Sequence, residues 1–295
     1  MIRLHSFVGV DPDVTALPAF KKFLRHYAEL GVTEFVLDFH TNTDDFARVA
    51  QFSDAARAFR CTVRNVISEP YLATGNHLHH VNAFIRDYCS AGDWCLMADT
   101  DEFIKFPVPI QEFLDARDAA GDRVLVGHLI DRISGEGTFP EITERSELDD
   151  LFPFQYPLTL LVRGGWTRKV VALKAMSETT AGRHALVDEG PSAAAAEHAF
   201  LRRVYRTGSP LFVRCVRPLY PWIERRRSAL PRWRGRVEVH HFAWDHLRHA
   251  KMMALRSDFR CEYPSEVENV LRFLDAPLPL TLLDMAFLRR MTKRE

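Results

Sequence analysis

The sequence predicts an α/β protein: a mostly parallel sheet flanked by helices, followed by a helical C-terminal region. Three observations carry this. Residues 1–130 alternate short apolar runs with longer amphipathic stretches, the rhythm of βαβ units feeding a parallel sheet. Gly31 and Gly92 close two of the helical patterns, as C-terminal glycines do. Beyond residue 246 the apolar spacing is helical again.

The elements follow in order. A strand over residues 4–10 leads through Asp11-Pro12-Asp13, a helix start, into a helix with Leu17, Phe20, Leu24 and Tyr27 at helical spacing. After a strand at 34–39, Thr43-Asp44-Asp45 opens a second helix carrying Phe46, Val49, Phe52, Ala56 and Phe59 on one face. Residues 61–67 form the next strand and 70–76 a loop; a third helix carries Leu78, Val81, Ile85 and Tyr88 or Cys89. A strand at 94–98 then delivers the chain to Asp99-Thr100-Asp101-Glu102-Phe103. Next come a helix at 110–119 and a strand at 124–130, after which residues 135–157 read as a long loop, usually a functional feature in a compact domain. Strands are expected at 158–162, 170–174 and 237–242, and helices at 246–260, 265–274 and 280–294. The expected organisation is one domain over 1–245 with a helical appendage, 246–295, packed on it.

At 295 residues, 47% hydrophobic and 26% charged, the chain can bury a sizeable core and is not expected to be disordered. Lysine plus arginine equals aspartate plus glutamate at 39 each, so any affinity for a polyanion must be local. One such patch exists. Residues 217–236 hold Arg217, Arg225, Arg226, Arg227, Arg232, Arg234 and Arg236 against the single acid Glu224, among Tyr220, Trp222 and Trp233. This stretch can serve a diphosphate, an anionic glycan acceptor or an anionic lipid surface, or be a solvated face; nucleic acid is not the expected partner. The helix at 280–294 is amphipathic and suits packing on the domain better than peripheral membrane contact.

The five cysteines are an odd number without a CxxC pair, which favours a reduced, cytosolic chain. The N-terminal residues are unlike a signal peptide, and no run approaches the ~20 apolar residues of a membrane span. A cytoplasmic location, with contact at the inner face of the membrane as a variant, is the expectation. Oligomeric state is not legible.

The chemistry concentrates at Asp99-Thr100-Asp101. Its carboxylates follow the apolar strand Trp94-Cys95-Leu96-Met97-Ala98 and so emerge at the carboxyl edge of the sheet, where open α/β sheets bind ligands. Acids crowded at a buried strand end repel one another, and a hard cation, Mg²⁺ or Mn²⁺, relieves that repulsion. The bland alternative is a turn or cap, since DxD triplets are frequent. The return of Phe103 and Ile104 to the core argues against a solvated acidic loop.

Residues 92–104, Gly92-Asp93-Trp94-Cys95-Leu96-Met97-Ala98-Asp99-Thr100-Asp101-Glu102-Phe103-Ile104, resemble the W-x-x-x-x-D-x-D-E-F signature of family 2-like and family 92-like glycosyltransferases of the GT-A fold. The upstream Phe23-Leu24-Arg25-His26-Tyr27, then Leu30-Gly31-Val32, and Thr43-Asp44-Asp45 are similar to the opening segments of those enzymes. Val239-His240-His241-Phe242-Ala243-Trp244 resembles their late H-H-F-x-W element. The resemblance covers residues 1–250. It implies a GT-A, Rossmann-like nucleotide-diphospho-sugar transferase that uses Mn²⁺ or Mg²⁺, takes a nucleotide sugar, UDP-linked by first expectation, and delivers the sugar to a glycan or lipid-linked acceptor.

Residue by residue, the resemblance implies that Asp99 and Asp101 hold the metal and that a late histidine completes its shell, His241 before His240. Strand alternation faces those two histidines in opposite directions, so at most one reaches it. Asp11 and Asp38, near the ends of the first two strands, are candidates for the base and ribose, although Asp11 also suits an N-cap. Asp131-Arg132 looks like a D-R-x-x-x-x-G segment, with Asp131 toward the donor sugar and Arg132 toward a phosphate, or else a brace for the loop. An inverting transferase needs a base, and Asp188 and Glu189 are the candidates by chain order, close to His184. Two other readings stand beside this one. Metal-dependent phosphoryl or nucleotidyl transfer would use the same acids, but the glycine-rich loop of a nucleotidyltransferase is absent. A degenerate GT-A-like module binding an acidic polymer would use the arginine stretch.

Overall fold

The computed structural model describes residues 1–41, 45–67, 74–90, 92–134, 138–156, 159, 168–174, 237–257 and 264–275. Thr43 and Asp44, Gly135 and Gly137, most of the strand expected at 158–162, His184, Asp188 and Glu189, the arginine stretch at 217–236 and the helix at 280–294 lie outside the described residues.

The protein is α/β. β1 (Ile2–Gly9), α1 (Leu17–Leu30), β2 (Glu34–His40), α2 (Phe46–Ala58), β3 (Thr62–Ile67), α3 (Thr74–Tyr88) and β4 (Trp94–Met97) follow one another as βαβ units. Parallel pairing sets them in the order β3-β2-β1-β4. The order reverses at β1, which makes the carboxyl ends of β1 and β4 the place where such a sheet opens a crevice. β1 reads as a nearly continuous apolar run because it is covered on both faces, and only Arg3 along it is more than marginally exposed.

The second half adds β5 (Glu102–Lys105), α4 (Ile110–Ala119), β6 (Val124–Ile133), α5 (Leu148–Leu151), β7 (Phe154–Tyr156), β8 (Arg168–Lys174), β9 (Glu238–His241), α6 (Arg248–Ser257) and α7 (Pro264–Leu274). β8 enters antiparallel between β4 and β6. β9 runs parallel to β6 on one side and antiparallel to β5 on the other. The long β6 thus gathers β7, β8 and β9 around it.

Helices cover both faces. Phe20, Phe23, Leu24 and Tyr27 of α1 are fully buried with Phe52 of α2 and Phe113 of α4, each large side chain contributing about 1.5–3 kcal/mol by leaving water. Val81, Phe84 and Ile85 of α3 pack with Phe7 and Met97 on the other face. Trp244, Met252, Leu255, Val267 and Leu271 form a third cluster with Ile133, seating α6 and α7 at the far end of β6. Tyr27 ties layers together, donating its hydroxyl to the Glu102 carbonyl at 2.9 Å and accepting the Ile104 amide at 3.2 Å.

Three expectations are corrected and one strand is added. α1 begins at Leu17, with Pro18 in its first turn, and not at Asp11; the Asp11 carbonyl instead accepts the amides of Val14 and Thr15 in a turn. Phe46 is 77% exposed, because as the first residue of α2 it projects beyond the sheet that covers Phe52, Ala55 and Ala56. Residues 102–105 form a strand, whose partner β9 lies far along the chain. Cys89 and Cys95 are joined in a disulfide, since α3 and β4 turn both side chains into one apolar cluster with their Cα atoms 6.4 Å apart. No helix among the described residues is long and apolar enough to cross a membrane.

Candidate functional site

The acidic turn hangs between β4 and β5. Met97 ends one strand in the core, Glu102 begins the next, and the Glu102 amide donates to the Asp99 carbonyl at 2.9 Å to close the turn. The Glu102 carboxylate folds back to accept the Asp99 amide at 3.1 Å. Thr100 is buried within it.

Strand register brings the remaining groups to this turn. Glu102 lies opposite His241 across the β5–β9 pair, and Asp131 lies opposite His241 across the β6–β9 pair. Residues opposite one another in a sheet share a face, so Glu102, His241 and Asp131 point the same way and His240 points the other. His241 Nε2 is 3.8 Å from Asp101 Oδ2. One ligand atom each from Asp101, Glu102 and His241 falls within 4.8 Å of the others.

Asp131 orients that imidazole. It is 1% exposed, and its carboxylate accepts His241 Nδ1 at 2.7 Å, Trp244 Nε1 at 3.0 Å, the Thr159 hydroxyl at 2.7 Å and the Thr159 amide at 2.6 Å. Burial alone would raise the Asp131 pKa, but these bonds, the His241 bond foremost, hold it below the ordinary carboxylate range. A carboxylate that only accepts requires a proton on Nδ1, so Nε2 is the ring nitrogen turned toward Asp101. This is the carboxylate–histidine arrangement that orients metal-binding imidazoles. Two carboxylates with an imidazole suit Mn²⁺ well and Mg²⁺ acceptably, with water or phosphate oxygens to fill the other positions.

Two lysines balance the acids. Lys169 of β8 is 4% exposed; its Nζ sits 2.6 Å from Asp99 Oδ2 and also bonds the Glu102 carboxylate. Lys251 of α6 places its Nζ 3.7 Å from Asp101 Oδ2. Burial opposes ionisation of Asp101, yet Lys251 and His241 outweigh it and hold the carboxyl below its usual pKa. A cleft lies beside the turn, lined by Thr15, Thr100, Asp101, Asp245, Arg248 and Lys251 among others. Asp245 on its wall has a raised pKa, caused by burial.

The expected site residues separate into those at this centre and those away from it. Asp101 and His241 stand together with Glu102. Asp99 is at the turn, but its carboxylate faces Lys169 and lies outside the three-ligand group. Asp131 stands behind His241, enclosed by its own hydrogen bonds rather than turned to a donor sugar. His240 is held by Arg132 at 2.8 Å and Glu238 at 3.0 Å on the opposite face. Arg132 is 5% exposed and is spent on the Phe152 carbonyl, His240 and Asp149, so it braces the loop around α5 instead of reaching a phosphate. It pairs with Asp149 and not with Asp131, because neighbours along a strand face opposite ways.

Asp11 does not cap α1, whose N-cap is Ala16; it accepts the Thr41 hydroxyl at 2.8 Å and links the ends of β1 and β2. Asp38, two residues before the end of β2, is fully buried and bonded to His5, Arg64 and Asn65. Burial opposes its ionisation, but those partners lower its pKa strongly, so it is a structural carboxylate under the α3 face.

Glu102, Lys169 and Lys251 are the groups that sequence reasoning did not assign. Lys169 gave only a weak signal, as one of two adjacent cations, Arg168 and Lys169, ahead of the apolar run at 170–173 of β8. Lys251 gave none, since helix α6 is rich in cations.

No family model matches this chain, and no curated protein matches it. Among solved structures it is similar to HddC from Yersinia pseudotuberculosis, at 10% identity and a TM-score of 0.30, over 63% of this chain and 75% of that one. It is also similar to a UDP-glucose pyrophosphorylase from Acinetobacter baumanii, at 10% identity and a TM-score of 0.29, over 93% of this chain and all of that one. At this level the likeness reaches neither substrate nor catalytic residues.

Proposed function

We propose that the chain is a metal-dependent glycosyltransferase that takes a nucleotide-diphosphate sugar, UDP-linked by preference, and transfers the sugar to a hydroxyl of a glycan or lipid-linked acceptor. The observation that carries this is the group Asp101, Glu102 and His241 at the carboxyl edge of the β3-β2-β1-β4 sheet, with Asp131 fixing the imidazole so that Nε2 faces the acids. A bound Mn²⁺ or Mg²⁺ supplies Lewis acidity to a departing diphosphate. The chain's own part is to hold charge and geometry ready. Asp101 and Glu102 present oxygens, Asp131 orients His241, and Lys169 keeps the turn folded by neutralising Asp99 and Glu102. The sequence motifs that resemble GT-A enzymes fall on this same turn and on β9. Asp188 or Glu189 remains the proposed acceptor base, and residues 217–236 the proposed surface for an anionic acceptor or a membrane.

The test is a donor screen. Purified protein with Mn²⁺ is incubated with a panel of nucleotide sugars, and free nucleoside diphosphate is measured. The expected result is slow release from one or a few donors, abolished by EDTA and reduced about a hundredfold or more by Asp101→Asn, the order lost with one preorganised electrostatic group. Release of pyrophosphate from a nucleoside triphosphate, with no diphosphate from any sugar donor, would contradict the proposal in favour of nucleotidyl transfer.

A further inference from the structure

Helix α6 turns two cations toward the acidic turn. Arg248 and Lys251 are spaced as neighbours on one helix face, and both line the cleft with Thr15, Thr100 and Asp101. Arg248 is 3% exposed and its guanidinium lies 4.8 Å over the Trp244 ring, which fixes its position.

The two lysines at the turn differ in kind. Lys169 rises from the sheet, its side chain 5% exposed, within hydrogen-bond distance of Asp99 at 2.6 Å and in contact with Glu102. Lys251 stands at the mouth, its side chain 16% exposed, and at 3.7 Å its ion pair with Asp101 is longer than an N–H···O hydrogen bond. The first is built into the turn; the second meets Asp101 as a longer ion pair. A divalent cation on Asp101 and the Lys251 ammonium would repel at that distance, whereas phosphate oxygens brought to the same place attract the ammonium. Lysine, a point charge on a flexible stem, suits that exchange.

We propose that Lys251 and Arg248 form an anion subsite for the phosphate oxygens of the ligand, and that Lys251 leaves Asp101 for a phosphate when a divalent cation takes its place. This rests on the metal and diphosphate reading above. It also gives helix α6, which was expected to pack on the domain, a part in the site.

The experiment is calorimetric titration of the full chain, as wild type, Lys251→Met, Lys251→Gln and Lys251→Arg. The probes are Mn²⁺ alone, inorganic pyrophosphate with Mn²⁺, and UDP with Mn²⁺, and each variant's fold is checked by thermal melting. In Lys251→Met and Lys251→Gln, Mn²⁺ alone binds more tightly, because its competitor is gone. In both, pyrophosphate and UDP bind about tenfold more weakly, the loss of one charge-assisted contact. Lys251→Arg restores most of the anion affinity. Unchanged affinity for both anions in folded Met and Gln variants overturns the subsite, while the transferase reading survives if wild-type UDP binding needs Mn²⁺. Weakened pyrophosphate binding in a protein that shows no preference for UDP over pyrophosphate keeps the subsite and sinks the nucleotide part of that reading. A folded wild type that binds none of the probes overturns both.

Discussion

Removing Lys169 takes away the ammonium that Asp99 and Glu102 share, at a point where Glu102 is 3% exposed. Breaking one side of a buried ion pair leaves charge that water cannot reach, and such changes cost roughly 3–5 kcal/mol. Lys169→Met is therefore expected to lower unfolding stability by about 3 kcal/mol in a urea titration, with part of the loss returned by millimolar Mn²⁺, which binds only the folded turn. Equal denaturation midpoints for wild type and variant would show that Lys169 is not the counter-ion of the turn. At this scale Asp99 and Asp101 were legible because an apolar strand runs straight into them, and the residue opposite each acid was not. Which of His240 and His241 reaches the acids depends on the register of β9 against β5 and β6, a long-range pairing. Local pattern says only that the two histidines face opposite ways.

Among the elements, β6 holds the site together. Asp131 lies on the face that also carries Leu129 and Gly127, and a Cβ at Gly127 would meet Val171 of β8 and Val239 of β9, each at 2.7 Å. The missing side chain lets the strand bearing Lys169 and the strand bearing His241 close over β6 from its two sides. Gly127→Ala is expected to cost about 1–3 kcal/mol of stability, the usual penalty of overpacking, measured by chemical denaturation. No measurable cost would mean that the two valines move apart freely and that β6 does not set their spacing. Most elements were legible from period and punctuation. The helix at 110–119 has the boundaries expected of it, and Gly31 ends α1 in the left-handed conformation at φ 104°. β5 escaped because four residues beginning with a glutamate carry no period of their own, and only the β9 pairing makes them a strand. The start of α1 was misread because Asp-Pro opens turns as readily as helices, and here a turn over residues 11–15 intervenes before Pro18.

Taken whole, the molecule divides its work between a parallel half that any βαβ rhythm would announce and a mixed half that folds distant segments onto one turn. β4 delivers the chain to the turn, and β5, β6, β8, β9 and α6 each send a side chain toward Asp101 or its neighbours, so the centre is a property of topology more than of any one motif. The motifs at 94–104 and 239–244 located the acids and the histidine; the lysines that balance them come from strands and helices whose position no local pattern reveals. In the proposed function, this assembly holds a divalent cation against a diphosphate. The most direct test is the affinity of UDP with and without Mn²⁺, for wild type and Asp101→Ala. Wild-type UDP binding is expected to strengthen at least about tenfold when Mn²⁺ is added, a shift of about 1.4 kcal/mol, and Asp101→Ala to remove the enhancement. UDP binding that is indifferent to both Mn²⁺ and the substitution would contradict it.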